Sequence, residues 1–129
     1  MLDVDVITAV PAAALPPEEE IRRLLALAIG SAGIEDGHVA VEFVGEARIA
    51  ELNRAHRGRS SPTDVLSFPI DGADEATGAP RELGDIVICP EHATDVREAL
   101  VHGALHLAGM DHEADDGEML ALQREILSW

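Results

Sequence analysis

Residues 102–112 read His-Gly-Ala-Leu-His-Leu-Ala-Gly-Met-Asp-His, and this run constrains the fold more than any other stretch of the chain. His102 and His106 stand four residues apart. On a helix that spacing turns the side chain through about 400° and advances it about 6 Å, so both imidazoles leave one face, one turn apart. Val101, Leu105 and Ala108 form an apolar stripe beside them, so the histidines flank the part of the helix that faces the core. Gly109 permits the left-handed conformation that ends a helix. His112 follows on a segment able to fold back toward the pair. The run predicts a helix, a glycine stop and a return.

A histidine pair at this spacing also suits a solvated helix face. The glycine and the third histidine at a matching offset turn the reading toward metal binding. Three neutral imidazoles with a fourth position left to water make the ligand set of a catalytic zinc, whereas a structural zinc normally takes four protein ligands. The expected cofactor is one Zn2+ ion held by His102, His106 and His112, in a site that three imidazoles also make acceptable to nickel, copper or iron. The spacing matches the metzincin string H-E-x-x-H-x-x-G-x-x-H, except that Gly103 stands in the place of the protease's glutamate. The ligands are present and the usual base is missing.

At 129 residues the chain is expected to form one domain, over residues 1–129, burying roughly two-thirds of its unfolded surface. With 47% hydrophobic residues and only 2% aromatic ones, the core must be built of Val, Leu, Ile and Ala. Cys89 is the single cysteine, so no intrachain disulfide can form; it reads as a small buried residue at a strand end. The N-terminus carries acids where a secretory signal carries bases, and no apolar run is long enough to span a bilayer. A cytoplasmic location and no membrane partner are expected.

The formal charge is −16, and all nine basic residues are arginine. This balance opposes loose attraction to DNA, to RNA in general or to an anionic membrane, and leaves room only for a local basic groove. Arg54, Arg57 and Arg59 place a third of the positive charge within six residues. A solvated helix end explains that cluster equally well.

Periodicity gives the order of elements. Leu2 to Val10 reads as a strand. Pro16-Pro17 and three glutamates open a helix whose stripe is Ile21, Leu24, Leu25, Ala28 and Ile29, closed by Gly30 to Gly33. His38 to Val44 alternates as a second strand, with Val39, Val41 and Phe43 on one side, and Glu46 to His56 is a short amphipathic helix. Thr63 to Ile70 and Leu83 to Cys89 are strands flanking an acidic loop at about residues 71–82. Pro90 and Glu91 are expected to start the histidine helix, and Glu113 to start a last helix through Met119, Leu122 and Ile126. The fold class is α+β, in the order β-α-β-α-β-β-α-α. A mixed four-stranded sheet is packed by four to five helices, with a zincin-like metal helix and the fourth strand antiparallel at an edge.

Two stretches resemble a known family. "HGALHLAGMDH" (102–112) is similar to the metal signature of the YbeY-type endoribonucleases, the bacterial rRNA maturation factors. "LNRAHRGRSSPTDVLSFP" (52–69), followed by "LGDIVIC" (83–89), resembles that family's other characteristic block. The resemblance implies a zinc-dependent hydrolase of single-stranded RNA, working in late 16S rRNA 3′-end maturation and ribosome quality control. Its partners would be rRNA, the small ribosomal subunit and associated factors. It also implies that His102, His106 and His112 are metal ligands and that Arg57 is the functionally important arginine. Two positions depart from the family: Met110 stands where tyrosine is frequent, and Glu98 where many members carry histidine.

The residues suit that chemistry. Zinc bound by three histidines acidifies a water and polarises a phosphoryl oxygen, while an arginine fork binds phosphate oxygens in pairs and stays charged. Arg57 is expected to clamp the scissile phosphate, with Arg54 and Arg59 on neighbouring phosphates or merely solvated. Glu98 lies on the ridge of His102 and His106. It reads either as a proton acceptor or orienting group for an imidazole, or as an exposed helix carboxylate. Asp111 is either a partner of His112 or a helix cap. A small zinc peptidase and a non-catalytic ribosome-associated protein with a structural metal are the competing functions.

Overall fold

Alternation at the N-terminus builds the first strand. The computed structural model describes residues 2–10, 15–58, 63–70, 82–110 and 116–129, and in it β1 (Leu2–Thr8) buries Val4 while exposing Asp3 and Asp5. In α1 (Glu18–Gly30), capped by Pro17, Glu18, Glu19 and Glu20 fill the first turn, where the helix dipole favours acids. The stripe Ile21, Leu24, Leu25, Ala28 and Ile29 is buried. In β2 (Gly37–Phe43) Val39, Val41 and Phe43 are buried, alternating with half-buried His38, Ala40 and Glu42. Helix α2 (Glu46–Arg57) ends at Gly58, which adopts the left-handed conformation. Then come β3 (Val65–Pro69), β4 (Glu82–Ile88), α3 (Val96–Leu107) and α4 (Glu118–Leu127).

The described residues thus form an α+β fold of four helices and one mixed four-stranded sheet, in the expected order of elements. The sheet order is β1-β2-β4-β3, with β1–β2 and β2–β4 parallel and β3–β4 antiparallel. The expected edge placement is therefore exchanged. β4 lies inside the sheet, and β3 is the antiparallel edge strand. The physical reason is legible in retrospect: Leu83, Ile86, Val87, Ile88 and Cys89 are buried on both faces, as an interior strand requires, whereas Pro69 lacks an N–H and suits an edge.

One face of the sheet carries the larger core, where Val39, Val41, Phe43, Ile86 and Ile88 meet α1, α3 and α4. Each fully buried Leu or Ile contributes roughly 1.5–3 kcal/mol, and α3 alone buries Leu100, Val101, Ala104, Leu105 and Leu107. On the other face α2 covers a smaller cluster of Val44, Ile49, Leu66, Val87 and Cys89. The two helix starts differ from expectation. Pro90–Asp95 is a turn closed by His92 N–H to the Cys89 carbonyl (3.1 Å), and α3 begins only after Asp95, whose side chain accepts from Arg97 N–H at 2.9 Å. Helix α4 begins at Glu118 after Gly117, and residues 113–115 lie outside the described set.

A bulge brings the layers together at the foot of α3. His38 pairs with Glu82 and Val39 with Gly84, leaving Leu83 as the extra residue on β4. Gly84 has φ +140°; a Cβ there would strike the Phe68 carbonyl oxygen and stand 2.9 Å from Leu107 Cδ2. Its missing side chain lets β3 and α3 close on β4. No helix among the described residues is long and apolar enough to cross a membrane.

Candidate metal centre

The i,i+4 pair is formed as the helical geometry dictates. On α3 the rings of His102 and His106 lie with centroids 4.8 Å apart and planes at 78°, both half-buried. Each ring is held through Nδ1. His106 Nδ1 lies 3.0 Å from the Met110 carbonyl oxygen, and His102 Nδ1 lies 2.8 Å from Gln123 Oε1. Both partners are acceptors, so each Nδ1 carries the proton and the neutral ring's lone pair resides on Nε2, the arrangement of a metal-ligating histidine.

The Met110 contact is produced by the helix stop. Gly109 has φ +98°, Gly109 N–H bonds to the His106 carbonyl and Met110 N–H to the Leu105 carbonyl, each at 3.0 Å. This is the double bond pattern of a glycine-ended helix. It swings the Met110 carbonyl back onto His106 while Met110 itself packs against the larger core. The glycine expected to end the helix therefore also supplies the second partner of a ligand.

The donor set fits zinc as far as it is described. Two imidazoles with Nδ1 bonded to carbonyl oxygens present nitrogen donors of the kind zinc takes, and the expected third, His112, lies outside the described residues together with Asp111. Among the described residues no three His, Cys, Asp or Glu side chains gather around a metal position. Arg57 is the last residue of α2; its side chain and Arg59 are likewise outside the description, and Arg54 is exposed. One residue before Arg57, the His56 ring rests on Phe68 of β3 at 4.5 Å. The adjacent Ser67 points to the other face and donates to the Gly103 carbonyl of α3 at 3.0 Å. Edge strand β3 thus links the end of the arginine helix to the histidine helix.

Gly103 explains the missing base. A Cβ at position 103 would stand 2.7 Å from Ile86 Cγ2, 3.2 Å from Ser67 Oγ and 3.3 Å from Val65 Cγ2. The position faces the sheet, not the histidines, so no side chain placed there serves the site.

The sequence reading missed Gln123. It is only 6% exposed on α4 and joins two residues of α3, accepting from His102 and donating through Nε2 to Glu98 Oε1 at 3.3 Å. The signal was available: Met119, Leu122 and Ile126 set a helical stripe in which position 123 also faces inward, and a polar residue there calls for partners. A cavity of about 300 Å³ opens beside it, lined by Asp64, Asp95, Glu98, His102 and Gln123 among others.

Comparison with known proteins identifies the family. The family model described as endoribonuclease YbeY matches residues 15–129. The endoribonuclease YbeY of Macrococcus caseolyticus is 41% identical over 127 residues, covering 84% of this chain and 82% of that protein. That of Pseudomonas entomophila is 39% identical over 142 residues, covering 99% and 88%. The solution structure of TM1509 from Thermotoga maritima superposes with a TM-score of 0.58 at 31% identity, covering 99% of this chain and 87% of that one. With a family match over most of its length, and relatives at about 40% identity that carry the same name, the chain belongs to the endoribonuclease YbeY family.

Proposed function

We propose that the protein is a zinc-dependent endoribonuclease that cleaves single-stranded RNA. It acts in the cytoplasm with the small ribosomal subunit and its factors, in late 16S rRNA 3′-end maturation and ribosome quality control. The relatives' name, endoribonuclease, supports the reaction class. The single observation that carries the metal part is the pair His102 and His106, each with Nδ1 engaged by a carbonyl oxygen. In this reading His102, His106 and His112 hold the ion. Zinc there supplies Lewis-acid polarisation of a phosphoryl oxygen and brings the pKa of a water toward about 7.

The chain's own residues do the rest. Arg57 clamps the scissile phosphate through two N–H donors and offsets the charge that builds on it, while Arg54 and Arg59 hold neighbouring phosphates. With a net charge of −16, long-range attraction to RNA is poor, so cleavage depends on this local cluster and on delivery of substrate at the ribosome. A peptidase would need a base at position 103, which faces Ile86 instead.

Elemental analysis and digestion of single-stranded and duplex RNA test this reading together. Wild type is expected to contain zinc and to cut the single strand slowly. His106→Ala should lose both metal and cleavage, and Arg57→Ala should keep metal and lose cleavage. Cleavage unchanged in both variants, or casein hydrolysis in place of RNA cleavage, overturns it.

A further inference from the structure

We propose that Gln123 and Glu98 are positioning residues of the metal centre, forming a polarity relay Glu98–Gln123–His102 that fixes which nitrogen of His102 carries the proton. The inference rests on the metal reading of His102; it adds Gln123 to that reading and takes up one of the roles the sequence leaves open for Glu98.

The relay follows from donor and acceptor chemistry. A carboxylate accepts and cannot donate. Glu98 Oε1 therefore takes the amide N–H end of Gln123, at 3.3 Å. That choice turns Gln123 Oε1 toward His102, 2.8 Å from Nδ1. A carbonyl oxygen accepts only, so Nδ1 must donate, and the lone pair is left on Nε2. Reversing the amide would oppose its oxygen to the carboxylate and its N–H group to Nδ1. The ring would then keep its lone pair on Nδ1 and its proton on Nε2, the state in which Nε2 ligates no metal. An exposed carboxylate on the first turn of α3 thereby sets the tautomer of a histidine one turn further on, through an amide carried by α4.

Packing keeps the relay in register. Gln123 is 6% exposed, and Met119 and Ile126, one turn to either side of it on α4, are fully buried in the larger core. Buried amides of this kind are held by complete hydrogen bonding, and Gln123 satisfies both ends of its amide on α3. The two histidines of α3 are served differently. His106 is fixed by a backbone carbonyl that the helix stop at Gly109 delivers, whereas His102 depends on the side chain of another helix.

The tautomer itself is the readout. Long-range 1H–15N spectra of the metal-free protein, recorded where the imidazoles are neutral, report which nitrogen of His102 is protonated, and competition with a chromophoric chelator gives zinc affinity. In wild type the proton is expected on Nδ1. In Gln123→Met, of similar length but without an acceptor, the proton redistributes between the nitrogens, and zinc binding weakens by about 10- to 100-fold. In the double variant Glu98→Gln with Gln123→Glu, a carboxylate at 123 accepts both from Nδ1 and from the amide N–H at 98, so the tautomer and zinc affinity are retained. In Glu98→Gln the amide loses its accept-only anchor, and a mixture of tautomers appears. Retention of the Nδ1 proton and of zinc affinity in Gln123→Met overturns the relay, as does a wild-type proton on Nε2. Should Gln123→Met not fold, Glu98→Gln decides alone: an unmixed Nδ1 tautomer there overturns the proposal, because a surface carboxylate has no packing role to confuse it. The functional reading fails separately, since a wild-type protein with the expected tautomer and no RNA cleavage sinks the nuclease and leaves the relay intact.

Discussion

Gly103 of α3 lies so close to Ile86 of β4 that a Cβ at position 103 would stand 2.7 Å from the Ile86 Cγ2 methyl, itself on a fully buried side chain. Two effects oppose each other in Gly103→Ala. Helix propensity favours alanine over glycine by about 1 kcal/mol, while overpacking costs about 1–3 kcal/mol. Ile86 is β-branched and stiff at χ1, so it cannot swing aside, and the overpacking wins. Gly103→Ala should lower the midpoint of urea unfolding, and Gly103→Glu should lower it much further without conferring hydrolysis of casein. An alanine variant more stable than wild type would show that the helix lifts from the sheet at small cost.

Removing metal should leave the fold standing. Helix α3 is anchored by Leu100, Val101, Ala104 and Leu105, all fully buried, on the face opposite its exposed flank. That burial is independent of any ligand. After treatment with a chelator, the far-UV circular dichroism is expected to be unchanged and thermal unfolding to remain cooperative, with a lower Tm because a ligand of the native state is gone. Unfolding on chelation would instead identify a structural metal.

What could be read from the sequence was what depends on local period. The stripe of α1, the alternation of β2 and the histidine pair each follow from residues a few positions apart, and each is found in place. What could not be read depends on which elements meet. The position of β4 inside the sheet is settled by burial on both faces and by α2 covering the second one, a tertiary fact that an apolar run alone leaves ambiguous. Gln123 was missed for the same reason, because its partners lie 21 and 25 residues away on another helix. The role of Gly103 was half legible: the absent glutamate is visible in the sequence, but the contact with Ile86 that forbids it is not.

The start of α3, expected at Pro90 and found after Asp95, allows a direct check. Pro at the first helical position would make Pro90 a natural start, but the turn at Pro90–Asp95 hands that role to Asp95, whose carboxylate accepts from Arg97 N–H at 2.9 Å. An N-cap aspartate is worth about 1 kcal/mol over alanine. Asp95→Ala should therefore destabilise the protein by about that amount, with Asp95→Asn nearly neutral. A helix beginning at Pro90 would place residue 95 in its interior, where alanine is preferred, so a stabilising Asp95→Ala would contradict the observed cap.

Across the open end of the sheet, His38 of β2 is clamped between Asp5 of β1, at 2.8 Å from Nε2, and Glu82 of β4, at 2.9 Å from Nδ1. The bond to Glu82 and then that to Asp5 raise its pKa from 6.5 to about 9, against a smaller opposing effect of burial. The folded-state pKa is thus above the unfolded one. The clamp's contribution is full below about pH 6.5, provided the carboxylates are ionised, and is lost as pH climbs through about 9. Both carboxylates remain well exposed, with side chains 67% and 49% accessible, so screening holds each contact to about 1 kcal/mol or less. His38→Gln, neutral at every pH, should be less stable than wild type near pH 6 and should converge with it near pH 10, by roughly the sum of those two contacts. Urea titrations of both proteins across this range measure the convergence, and a stability gap that stays constant with pH would mean that His38 is not charged in the folded state.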